Sequence, residues 1–152
     1  MNDLCADIGY QSLYKHGEEL CGDHIEVVDC EDGSTIIVLA DGLGSGVKAN
    51  ILSTLTAKIL STMMAEGLKV EDCVRTVAAT LPVCSVRQVA YSTFTIICLR
   101  NNEEADIIQY DNPGVILLRE GGHVEFPTTE LNIDGKKILQ SHIKLQENDV
   151  FI

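Results

Sequence analysis

Ala40-Asp41-Gly42-Leu43-Gly44-Ser45-Gly46, read together with Gly22-Asp23, decides how this chain folds. The loop follows the apolar run Thr35-Ile36-Ile37-Val38-Leu39-Ala40 and precedes a long helical pattern. A carboxylate therefore sits at the mouth of a buried strand, inside a glycine-rich loop. Strand ends let a fold hold a charged ligand near solvent without burying it unpaired. Asp23 opens the preceding strand-like run, residues 23–30, and Glu31-Asp32-Gly33-Ser34 between the two runs is a turn signal. A hairpin of these runs brings both carboxylates to one end of a sheet, where they form a candidate site for a hard cation.

Downstream of the loop, residues 47–66 read as a helix. Ile51, Leu52, Leu55, Ile59 and Met63 recur at helical spacing and predict one apolar face, widened by Leu60 and Met64. Gly67 is its C-terminal stop. Residues 70–81 read as a second helix with Cys73, Val74, Val77 and Ala78 inward, ended by Pro82. From Thr93 the pattern changes to strands over residues 93–99, 105–110, 115–118 and 138–145. Turns at 100–104, 111–114, 120–122 and 146–149 separate them, which predicts antiparallel sheet. Residues 1–22 carry no clear pattern. Val150-Phe151-Ile152 begins a further apolar run with no end signal, so the expectation is a single domain over 1–152 that is truncated at its C-terminal end.

A chain of 152 residues is about one domain with a sizeable core. Its net charge of −12 argues against general nucleic-acid binding, because the phosphate backbone would be repelled. Cys5, Cys21, Cys30, Cys73, Cys84 and Cys98 form no C-x-x-C pair, and several lie in apolar runs. They read as reduced thiols used as small hydrophobes, which predicts a cytoplasmic location and no zinc site. Neither a signal peptide nor a membrane-spanning run is visible.

Strand, glycine loop and helix is also the layout of phosphate-binding folds. Lys48 comes too soon after Gly46 for a P-loop, and Ala49 stands where a hydroxyl is needed. The dinucleotide fingerprint needs G-x-G-x-x-G and a second strand; here Gly42, Gly44 and Gly46 alternate, and two helices follow. A metal reading has its own logic. Asp41 is placed to bridge two cations, and Gly42, lacking a side chain, lets its carbonyl approach one. Two such ions share a water, lower its pKa and clamp a phosphoryl group. They also reverse the repulsion an acidic protein would exert on phosphate. His24 is the one histidine beside a proposed ligand and is a candidate proton donor to a leaving serine. Ser45 has no matching His and Asp order for a nucleophile.

Gly22-Asp23, the D-G-x-G-x-G loop at Asp41–Gly46 and Tyr91-Ser92-Thr93-Phe94-Thr95 together closely resemble the metal-dependent PPM protein phosphatases, in the branch typified by the stage II sporulation protein E phosphatase domain. The likeness runs from about Cys21 to Ile152. It implies an α+β layered sandwich of two antiparallel sheets flanked by helices, incomplete at the C-terminal end. It implies hydrolysis of phosphoserine or phosphothreonine on a protein, with two Mn2+ or Mg2+ ions. By motif, Asp23 is a metal-site carboxylate, Asp41 bridges the metals as the catalytic residue, and Gly42 ligates through its carbonyl. Partners implied are a phosphoprotein, often an anti-anti-sigma regulator, and a second copy docked through the helix pair. The family's further aspartates are not met before Ile152, so residues 1–152 alone are expected to be weak or inactive. A non-catalytic interaction module acting through the 47–81 helix pair and a nucleotide-binding domain remain the competing classes.

Overall fold

β-Branched residues dominate the first hairpin, and the turn between its strands is set locally. Asp32 accepts from the Ser34 amide at 2.9 Å and from its hydroxyl at 2.6 Å, and the Cys30 amide donates to the Ser34 carbonyl at 2.8 Å. In the computed structural model, which describes residues 3–81 and 92–152, this turn joins β1 (Asp23–Asp29) to β2 (Thr35–Asp41). The chain continues through α1 (Gly46–Ala65), α2 (Val70–Thr80), β3 (Thr93–Arg100), β4 (Glu104–Tyr110), β5 (Leu117–Arg119), β6 (Gly122–Val124), β7 (Thr129–Ile133), β8 (Lys136–Lys144) and β9 (Val150–Phe151). Pro82, Cys84 and Tyr91 lie outside the described residues.

Six strands form one antiparallel sheet in the order β1-β2-β3-β4-β8-β7, and three form a second in the order β6-β5-β9. Both helices pack on one face of the large sheet. Ile36, Val38, Phe94, Ile96 and Ile108 meet Leu60, Val74 and Val77 there. On the other face, Ile107 and Ile143 pack with Leu117 of the small sheet, backed by Ile97 and Phe151. The layered α+β sandwich expected from the sequence is the architecture observed. Arg119 pins the small sheet to the β8–β9 turn: its Nε and a terminal nitrogen donate to the two Asp149 carboxylate oxygens at 2.7 and 2.8 Å.

Two expectations need correction. The predicted apolar face of α1 holds only in part: Leu60 is in the core and Ile59, Met63 and Met64 pack against it, but Ile51 and Leu55 do not. Ala49, Ser53, Thr56, Ala57, Leu60 and Ser61 are buried, while Ile51 is 51% and Leu55 43% exposed. Small side chains let the helix axis come close to β1 and β2, and that proximity outweighs the larger apolar area on the other side. Sequence reading also passed over β6 and β7. Asp134 and Gly135 both hold positive φ, 50° and 82°, in the tight turn that joins β7 to β8.

Candidate functional site

Asp23 and Asp41 are direct partners in the β1–β2 ladder, and Thr93 of β3 stands opposite Asp41 on its other side. Because side chains alternate along a strand, Asp41 points away from the helix-facing Ala40. Both carboxylates therefore emerge at one rim on the face turned from α1. Burial pushes the Asp23 carboxyl above its ordinary value of 3.8, and the hydrogen bond and charge of Asp41 push it the same way. A pair of facing carboxylates with no cationic side chain from the described residues paired to either favours a cation or a proton.

Gly42 follows directly, and its position admits no side chain. A Cβ there would lie 2.2 Å from the Ala49 carbonyl oxygen and 2.5 Å from that of Gly22. Its amide donates to the Gly22 carbonyl at 3.0 Å, so the residue before Asp23 and the residue after Asp41 are tied backbone to backbone. Beyond it, Gly44 and Gly46 adopt φ of 96° and 73° and swing the chain into α1.

His24 does not join the carboxylates. The pleat turns it toward α1, where its Nε2 lies 2.9 Å from Glu26 Oε1, and Lys58 of α1 reaches the other Glu26 oxygen at 3.3 Å. That pairing with His24, foremost, holds the Glu26 carboxyl below its ordinary value. Glu18 is a residue the sequence reading missed. The Ser45 hydroxyl donates to its Oε1 at 3.0 Å, inside the glycine loop. The available signal was a deficit: α1 has no acidic residue in its first turn and its N-cap Ser45 makes no side-chain cap bond.

Among the described residues, no group of three or more His, Cys, Asp or Glu side chains converges. Asp149 is committed to Arg119, its side chain only 3% exposed. Tyr10, Leu13, Ile25 and Leu39 line an open cavity of about 480 Å³ that includes Asp23, whereas the larger cavity of about 920 Å³ touches neither rim carboxylate. No described helix is long and apolar enough to cross a membrane.

Comparison with solved structures places the fold. The PP2C phosphatase domain and regulatory fragment of the cell fate determinant SpoIIE from Bacillus subtilis aligns with TM-score 0.74 and 18% identity, over 93% of this chain and 42% of that one. The RsbU and RsbW domains of a Mycobacterium tuberculosis protein align with TM-score 0.70 and 18% identity, over 91% and 40%. RsbX in complex with magnesium aligns with TM-score 0.67 and 22% identity, over 93% and 69%. The chain thus spans less than half the length of the first two. No curated protein matches it. The family model described as stage II sporulation protein E (SpoIIE) matches residues 31–152, most of the chain, and with the two-sheet fold of PPM-type phosphatases around the paired aspartates, the chain belongs to the SpoIIE family.

Proposed function

We propose that this chain carries part of the active site of a metal-dependent protein phosphatase that hydrolyses phosphoserine or phosphothreonine on a protein regulator of the anti-anti-sigma kind. The observation that supports it most is the facing pair Asp23–Asp41, in a chain of this family, with the Asp23 carboxyl driven toward its protonated form when no cation neutralises the pair. Hard oxygen donors suit Mn2+ or Mg2+. Asp23 and Asp41 would hold the ions, with Asp41 bridging, and the Gly42 carbonyl would add a third oxygen. The chemistry such ions supply when bound is activation of a water and neutralisation of phosphoryl charge. The chain's own contribution is orientation: strand register fixes the carboxylates, and close packing against Ala49 and Gly22 fixes Gly42. Among the described residues, two carboxylates and one carbonyl are a sparse ligand set, which supports slow or no turnover by residues 1–152 alone. The cysteines Cys5, Cys21, Cys30, Cys73 and Cys98 are free, which supports a cytoplasmic setting.

The test is release of phosphate from a phosphoserine protein by the full-length protein, dependent on Mn2+ and abolished by Asp41→Asn. Turnover unaffected by that substitution, or by chelation of the metal, overturns the reading. One observation favours a second reading, a non-catalytic or dimerising module acting through α1 and α2: Val47, Ile51 and Leu55 form an exposed row on α1, 63%, 51% and 43% accessible. Partner binding that persists in a protein unable to release phosphate supports that alternative.

A further inference from the structure

The segment just before Asp23 is tied to the glycine loop and α1 at three places. Ser45 Oγ donates to Glu18 Oε1 at 3.0 Å, Asn50 Nδ2 of α1 donates to the Cys21 carbonyl at 2.8 Å, and the Gly42 amide donates to the Gly22 carbonyl at 3.0 Å. Glu18 is the one charged group of the three. Its second oxygen lies over Gly46, the first residue of α1, where a Cβ would come within 2.5 Å of it. A carboxylate at that position interacts favourably with the unpaired amides of the first helical turn, which α1 does not satisfy from its own sequence. A turn holds Glu18 in place, with its amide donating to the Lys15 carbonyl at 2.9 Å.

We propose that Glu18 is a positioning residue for the Asp23–Asp41–Gly42 site, clamping the upstream segment to the glycine loop and the start of α1 so that the three cation donors stay aligned. The proposal rests on the metal-site reading above. Glu18 acts through Ser45, Gly46 and the backbone at Gly22, not by contact with either carboxylate. Residues that orient metal ligands from behind typically change affinity more than chemistry.

The experiment is Mn2+ titration calorimetry of the full-length protein, wild type against Glu18→Ala, Glu18→Gln, Ser45→Ala and Asp41→Asn, with turnover measured at saturating Mn2+. Glu18→Ala is expected to weaken Mn2+ binding by about ten-fold or more. Glu18→Gln keeps an acceptor for Ser45 and is expected to lose less. Turnover at saturating Mn2+ is expected to stay within about two-fold of wild type, since the lost alignment is recovered by mass action. Should Glu18→Ala fail to fold, Glu18→Gln and Ser45→Ala decide the matter. Wild-type affinity in the folded Glu18 and Ser45 variants, alongside loss of binding in Asp41→Asn, overturns the role of Glu18 and leaves the metal site standing. A wild-type protein that binds no Mn2+ overturns both.

Discussion

Asp23 and Asp41 face one another across the β1–β2 ladder, and partial burial together with the neighbouring Asp41 makes Asp23 harder to ionise in the folded chain. The folded-state pKa of Asp23 is raised above 3.8, so its favourable contribution is complete below that pH and is lost as pH rises through the raised value. At neutral pH without metal, the pair opposes folding. Both side chains are solvent-accessible enough for screening to keep the effect small.

Neutralising one member therefore stabilises the metal-free protein. Asp23→Asn or Asp41→Asn is expected to gain about 0.3 kcal/mol at pH 7 and nothing at pH 3. Urea unfolding in chelator at the two pH values measures this. A loss of stability at pH 7 would contradict the facing arrangement.

Gly42→Ala meets two backbone oxygens that cannot yield independently. The cost is expected to be about 3 kcal/mol or more. Gly44→Ala is the contrast, because its φ of 96° is strained for alanine but the space around it is open. It should cost about 1–2 kcal/mol. Equal midpoints in urea for the two variants would refute the packing described for Gly42.

Breaking Arg119–Asp149 leaves a buried carboxylate without its partner. Arg119→Ala is expected to cost about 2–3 kcal/mol at pH 7. The hydrogen bond from Arg119 is the foremost cause that lowers the Asp149 pKa below 3.8. The stabilisation is therefore present above pH 3.8 and disappears as pH falls through the lowered value. Unfolding curves of wild type and variant should converge in strong acid, and a gap independent of pH would exclude the ion pair as its source.

On α1, the two faces should respond oppositely. Ile51→Glu on the exposed row is expected to shift stability by no more than about 0.5 kcal/mol. Ala57→Leu, on the fully buried side, forces the helix off the sheet and should cost about 2 kcal/mol. Thermal melts of the two variants separate the outcomes.

The hairpin, the glycine loop and both helices were legible because their signals are local: β-branched runs, an Asp-Gly-Ser turn and a 3.6-residue period. The inward side of α1 was legible only at Ile59, Leu60, Met63 and Met64. Apolar periodicity ranks residues by size, whereas Ala49, Ser53 and Ala57 are buried because they are small. β7 was hidden by its composition, Thr129-Glu130-Leu131-Asn132-Ile133, only partly apolar on an edge of the sheet, although Asp134-Gly135 marks the hairpin beside it. The meeting of Asp23 with Asp41 was readable from the length of the intervening turn. Glu18 was not, since its partner Ser45 lies across a loop whose path only tertiary packing defines.

The Asp32–Ser34 turn has a consequence for chemistry at the far end of the hairpin, roughly 20 Å away along strands of this length. A slip of one residue in pairing would rotate every side chain of β1 to the opposite surface. His24 would then occupy the carboxylate's place beside Asp41, and Asp23 would be buried against α1. A small polar turn with no contact to the rim thereby dictates whether acid or imidazole is presented there.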